Sequence, residues 1–414
     1  MLRKLVTGLL SAAIGIAMVS GARAAEKITV LTWNLPVYGE KIDGWIKEFK
    51  QKHPDIDVEW IDKKGTEWPT FYQTQLAAGT PPDVVNIQGA LWAEYAANGQ
   101  LLDLTPYLQK DADFAGRFAD GALDLWKTAD GKTWMVPWYF NRTLLYLNKK
   151  MLSAAGIAGA PASFAELMAD ARKMTGEGKS GFLTTNFDWL YWPLFKMNGV
   201  DILSGDLSKA AFNTPEARST LVALAEATKS GAINNISWTG RWVEPNTAFA
   251  AGNVGMYLAP NSALFWAASK ADWINEKNVD VVDPPGDWSV PNHHGWGVSK
   301  ASKHADAAVD LIKIATSDKW QRTMAETFSV LTLNKRVDES VIASLKTDAP
   351  LKAKVLELAG SKLDKIVGYL KTPKEQRVKD AFWSSVQPAL LGQADPNTAL
   401  GQAEGKVNRV LTSR

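Results

Sequence analysis

No cysteine occurs in the 414 residues, which excludes disulfides, thiolate metal sites and lipid attachment through a cysteine. Histidine is nearly as scarce, at four. His293 and His294 are adjacent, but no third ligand lies at metal spacing, so the pair reads as a solvated loop and no metal or cofactor is expected. No sign of charge dominates: the formal net charge is +2, and residues 1–24 hold Arg3, Lys4 and Arg23 without an acid, leaving the remainder near −1. That balance gives no footprint for nucleic acid or anionic lipid. Beyond residue 24 no apolar run is long enough to span a bilayer. Also missing are G-x-S-x-G, H-E-x-x-H, a Walker loop and a dinucleotide fingerprint, so no catalytic residue is assigned.

Arg3 and Lys4 precede an apolar stretch from Leu5 to Ser20, and Ala22-Arg23-Ala24 offers small residues for a cut before Ala25. This is the layout of a cleaved secretory signal, residues 1–24, with an uncleaved anchor as the alternative. The expected location is a bacterial periplasm. About 390 residues then remain, which suggests two domains.

Tryptophan is abundant, at 18 against 9 tyrosines and 14 phenylalanines. Trp45, Trp60, Trp320 and Trp383 fall in periodic stretches and read as packing. Trp33, Trp68, Trp138, Trp189, Trp192, Trp242, Trp266 and Trp296 lie near the ends of apolar runs, beside Pro, Gly, Asn or charged residues. An indole so placed offers a flat apolar face and one N–H donor to a partner that is half apolar and half polar, as a sugar ring is.

The pattern from Lys27 alternates strand and helix. An apolar run to Trp33 is followed by Ile42, Trp45, Ile46 and Phe49 at helical spacing, then by Ile56–Trp60 as a strand, Phe71–Ala78 as a helix and Asp83–Ile87 as a buried strand. That order belongs to a parallel sheet covered on both faces, whose ligands sit at the carboxyl ends of strands. Further on come a strand Thr143–Leu147, helices beginning at Ser163 (a capping box with Glu166) and at Pro215, helices around Trp242–Ala251 and Ala263–Asn278, and a strand from Val279. A helix capped by Ser302 and a largely helical tail follow.

Five stretches then recur in a familiar order: Pro82-Asp-Val-Val, Gly99–Leu108, Gly131–Pro137 leading to Leu147–Gly156, Ala248–Met256, and Gly295-Trp-Gly-Val-Ser. On these the chain resembles the extracellular solute-binding proteins of family 1, the sugar receptors of bacterial ABC importers. The resemblance implies an α/β, two-lobed periplasmic-binding-protein fold of type II, each lobe a sheet flanked by helices, with three interlobe crossings. Lobe 1 would take residues 25–138 with 284–330 returning to it; lobe 2 would take 139–283, completed by 331–414. The implied function is a monomeric periplasmic receptor that captures a neutral sugar, oligosaccharide or polyol in the cleft by hinge closure and delivers it to a membrane permease.

Candidate contacts are polar residues beside aromatics at strand ends: Trp33 and Asn34, Gln88, Glu67 with Trp68, and Tyr139 with Asn141, which share a side if extended. The family pattern supports Trp33, Asn34, Gln88, Tyr139 and Asn141, adds Asn261, Trp266, Gly295 and Trp296, and loosely adds Arg377. Trp138, Trp192 and Trp242 complete the set from position alone. Asn34 and Asn141 also fit turns, Trp192 also fits a lobe interior, and Trp242 a helix start. Many relatives carry an aspartate near the end of the Pro-Asp-Val strand, where this chain has Asn86 and Gln88. The strongest stacking candidates are Trp33, Trp266 and Trp296. Two rivals remain: a secreted carbohydrate hydrolase, which needs paired carboxylates and finds only Glu67 and Glu244 beside these aromatics, and a binder serving a chemoreceptor.

Overall fold

The computed structural model of the chain describes residues 26–33, 39–65, 67–89, 91–186, 189–367 and 370–413. The leader assigned to residues 1–24, and Asn34, lie outside the described residues. Strands β1 (Glu26–Trp33), β2 (Ile56–Lys63) and β3 (Val84–Gln88) alternate with helices Gly39–Lys52 and Trp68–Ala77. β1 lies between the other two and parallel to both, with Ile28 opposite Val58 and Val30 opposite Val84. Asp83 fastens this sheet. Its carboxylate accepts from the Thr29 backbone N–H at 2.8 Å and hydroxyl at 3.0 Å, and from the Ser302 hydroxyl at 2.6 Å. The acid of the Pro-Asp-Val run therefore ties two strands to a turn far along the chain.

β4 (Val136–Asn148) is the longest strand, followed by β5 (Ser180–Leu183), β6 (Val254–Pro260), β7 (Val279–Val282) and β8 (Pro291–Val298). β8 runs antiparallel to β3 on one side and to the first half of β4 on the other. The second half of β4 pairs antiparallel with β6 and β7, and β5 runs parallel to β6. The order is β2-β1-β3-β8-β4-β6-β5, with β7 also on β4, so one strand belongs to both sheets.

Each sheet has its own apolar packing. On the first, Ile42, Trp45 and Phe49 of helix Gly39–Lys52 are buried, and Trp45 meets Trp138, Trp296 and Trp320 edge-on at 5.9, 5.9 and 6.3 Å. Such edge-to-face pairs add to the area they bury. Beside the second sheet, Trp189, Trp192, Phe195 and Phe212 gather round Phe382 of helix Glu375–Leu390.

The capping box at Ser163 forms: its hydroxyl accepts from the Glu166 N–H at 3.2 Å, and Glu166 accepts from the Ala162 N–H at 2.8 Å. Two helix expectations are corrected. The helix expected to be capped by Ser302 begins at Ala305: the Ser302 hydroxyl donates to Asp83 and accepts from the His304 N–H at 3.2 Å, ahead of the first helical residue. The helix expected over Ala263–Asn278 ends at Ala268. Beyond it, Asn278 donates to the Trp273 carbonyl at 2.9 Å and Asn275 accepts from the Lys277 N–H at 3.1 Å, local bonds that replace helical ones.

Gly181 on β5 sits where a Cβ would come within 1.8 Å of the Ala171 carbonyl oxygen, a backbone atom that cannot step aside. Gly181→Ala is expected to lower stability by about 1–3 kcal/mol, and Trp296→Ala by about 3–5 kcal/mol. Urea unfolding curves of both variants against the parent check this.

Candidate functional site

The carboxyl ends of β1 and β3 place Trp33 and Gln88 at one edge of the first sheet, facing the second. Around them is an inner chamber of about 340 Å³. Gly65 after β2, Tyr139 and Asn141 of β4, Asn292 and His294 of β8, Trp242, Ser262 and the apolar Met324, Phe328 and Val330 complete its wall. Trp33, Gly65 and Gln88 also border an outer chamber of about 630 Å³, closed on the far side by Asn186, Tyr191 and the first turns of helix Glu375–Leu390. The two chambers form one cleft between the sheets.

The wall is set from behind. Trp33 rests on Gly65, where a Cβ would come 2.6 Å from the indole nitrogen, so only glycine admits the ring there. Its other neighbours are Trp68 at 5.2 Å and, edge-on, His294 at 6.2 Å. The His294 ring stacks on Tyr139 at 4.5 Å, and its Nδ1 lies 2.8 Å from Asn86 Oδ1. Burial holds the His294 pKa well below that of a free imidazole, so the ring is neutral. On β4, Asn141 Oδ1 accepts from Asn261 Nδ2 at 2.7 Å, and Asn261 Oδ1 accepts from the Arg142 backbone N–H at 3.1 Å.

Charge is divided between the chambers. Among the described residues the inner wall carries no acid, lysine or arginine, whereas Glu94, Glu375, Arg377, Lys379 and Asp380 line the outer one. Glu375 is buried, accepting from the Leu370 N–H at 2.9 Å with Lys379 at 3.5 Å. Arg377 is exposed and donates to the Ser413 hydroxyl at 3.0 Å.

Of the residues expected from sequence, Trp33, Gln88, Tyr139, Asn141, Trp242 and Arg377 border the cleft. Others are corrected. Trp296 is on the same face of β8 as His294 but two residues deeper, where helix Gly39–Lys52 covers the sheet, and it packs on Trp45 and Trp138. Trp138 is buried in the same cluster, and Trp192 in the cluster around Phe382. Trp68 is buried against Tyr72 and Tyr95 behind Trp33, and Glu67 beside it is exposed outside both chambers. Trp266 packs against the core, away from the chambers. Asn261 is buried behind Asn141, leaving Ser262 at the wall. Gly295 lets β4 and Trp126 approach, since a Cβ would meet the Val136 carbonyl at 2.9 Å. His293 and His294 are buried strand residues, not a solvated loop. Missed altogether were Gly65, Ser262, Asn292 and His294. The alternation of Asn292, His294 and Trp296 was the available signal for two of them.

A cleft between two helix-flanked sheets joined by shared strands is the architecture of the type II periplasmic sugar-binding proteins, with which the chain superposes over nearly its whole length. The bacterial extracellular solute-binding protein family matches residues 32–322, and the chain belongs to that family. Among curated relatives, the diacetylchitobiose-binding protein DasA of Streptomyces coelicolor is 27% identical over 354 residues, 80% of this chain and 77% of that one. Among solved structures, T. maritima MalE3 with maltose bound is 25% identical at a TM-score of 0.77, covering 92% and 99% of the two chains. A solute-binding protein of Thermotoga lettingae bound with α-D-tagatose is 21% identical at a TM-score of 0.78, covering 93% and 100%.

The neutral His294 sets a pH dependence. Below about 6.5 the unfolded chain takes up a proton on this ring that the folded ring resists. Its contribution to stability is therefore complete above that pH and is lost as pH falls. Urea midpoints measured from pH 8 to pH 5 are expected to decline on the acid side, and less steeply in His294→Phe.

Proposed function

We propose that the protein captures a neutral carbohydrate between its lobes and hands it to the permease of an ABC importer, working as a periplasmic monomer after removal of residues 1–24. In this reading lobe 1 is residues 25–138 with 284–330, and lobe 2 is 139–283 with 331–414. The observation that carries it is the inner chamber: Trp33, Tyr139 and Trp242 beside the amides of Gln88, Asn141 and Asn292, with no charged side chain in the wall among the described residues. Sugar C–H faces rest on the aromatic rings, and the amides both donate to and accept from hydroxyls. Among the described residues the inner wall offers no cation for an anionic ligand group and no carboxylate pair for hydrolysis. Of Glu67 and Glu244, the acids a hydrolase would use, Glu67 is exposed and Glu244 is half-buried and held by Arg241 at 2.9 Å.

Ligand touching both lobes stabilises the closed form because some of its contacts are missing when the lobes part; equal contacts in both forms would shift nothing. The named ligands of the relatives supply probes. At least one of maltose, diacetylchitobiose and D-tagatose is expected to raise the melting temperature by mass action. Trp242→Ala, in a half-buried wall residue, should weaken that binding about tenfold or more with the empty protein's melting temperature little changed. Release of new reducing ends, or no thermal shift across a broad saccharide panel, would overturn the proposal.

A further inference from the structure

The inner chamber has a built-in polarity. Asn86 Nδ2 donates to the Gly295 carbonyl at 3.0 Å. Flipping the amide would set oxygen against oxygen, so Asn86 Oδ1 must be the atom facing His294 Nδ1. An amide oxygen only accepts, hence Nδ1 carries the proton. Burial keeps the ring neutral, and Nε2 is then a bare lone pair. His294 is 3% exposed and borders the inner chamber, and its Nε2 has no hydrogen-bond partner among the described residues.

The same logic fixes Asn141. The Arg142 backbone N–H can only donate, so Asn261 turns its oxygen to it and its Nδ2 to Asn141 Oδ1 and the Ser329 carbonyl. Asn141 must therefore present Nδ2–H at the chamber. That group likewise has no partner among the described residues, in a side chain 1% exposed. Both orientations are anchored by backbone groups, one through β8 and one through β4, so neither can adapt by rotating an amide.

We propose that Asn141 and His294 form a fixed donor–acceptor pair that reads one edge of the ligand, Asn141 Nδ2–H donating to a ligand oxygen and His294 Nε2 accepting from a ligand hydroxyl. The assignment rests on the carbohydrate reading above and narrows it. The ring in the inner chamber presents a free hydroxyl at His294; a carboxylate or an O-methyl group there meets a lone pair with a lone pair and leaves a buried acceptor unmet. Uronic acids and rings methylated at that position are rejected from the inner chamber, while the mixed charges of the outer chamber leave substituents there unrestricted.

Two measurements decide it. Labelling the four histidines with ¹⁵N and recording ring ¹H–¹⁵N correlations on the ligand-free protein, assigned with His294→Phe, should show Nδ1 protonated and Nε2 bare. A proton on Nε2 would overturn the proposal whatever the ligand. Calorimetry with maltose, diacetylchitobiose and D-tagatose should then show that His294→Phe, which keeps a ring against Tyr139 but removes the acceptor, binds at least about tenfold more weakly than wild type. Undiminished binding by His294→Phe sinks the hydroxyl assignment alone. Failure of wild type to bind any of a broad saccharide panel sinks the carbohydrate reading and the assignment with it, whereas the tautomer is read from the empty protein.

Discussion

A cation without access to water sits where the chain changes sheets. Arg142, the last β4 residue paired with β8 and next to the first paired with β6, donates to Asp283 at 2.7 Å and to the carbonyls of Leu358 and Ala359. Lys362 adds a second cation to Asp283 at 3.1 Å. Burying such a charge is costly unless geometry and hydrogen bonds offset it, and removing one partner of a buried pair costs several kcal/mol. The planar fork of arginine reaches a carboxylate and two carbonyls from nitrogens held apart in one plane, whereas lysine would have to reach them from a single atom. Three segments distant in sequence are thereby held at one point: β4, the link from β7 to β8, and the end of helix Pro350–Ala359. The inner chamber hangs from the same residue, because its backbone N–H orients Asn261 and, through it, Asn141.

Much of this was readable from the chain. Trp33 and Gln88 stand at the ends of apolar runs in a strand–helix alternation, and parallel sheets present their carboxyl ends to ligands. Tyr139 and Asn141, two apart on an extended run, fell on one side as expected. The failures share a cause. Trp296 has the same local signature as His294, since period-two alternation states which face a side chain takes but not whether a helix covers that face further along. Trp68 and Trp192 are flanked by a proline and look marginal locally, yet they are buried by aromatic partners, some distant in sequence: Trp68 by Tyr72 and Tyr95, Trp192 by Phe195 and Phe382. Tyr191, Trp383 and the helix that carries Arg377 line the outer chamber opposite the first sheet's residues, a juxtaposition that no local pattern encodes.

Asn86 and Gln88, two apart on β3, have separate tasks. Gln88 borders the chamber, whereas Asn86 turns away from it to fix the ring of His294. Substituting aspartate for Asn86 would exchange a neutral acceptor beside Nδ1 for an anion and would draw a proton onto the ring. Neutrality in the inner chamber is thus maintained from behind the wall as well as along it. The fold is shared with structures near 20–25% identity, so such replacements are made on a common frame.

β4 is one covalent strand in two sheets, and that limits how the lobes can move. Sliding one past the other would strip its ladders or pull Arg142 from its carbonyls, and the joint itself is tied, Phe140 to His293 and Leu331, Arg142 to Pro291 and Thr143 to Pro260. The joint is therefore held from both sheets at once. A replacement at that joint, far from the chamber wall, would alter affinity if it changed how often the empty cleft already stands closed.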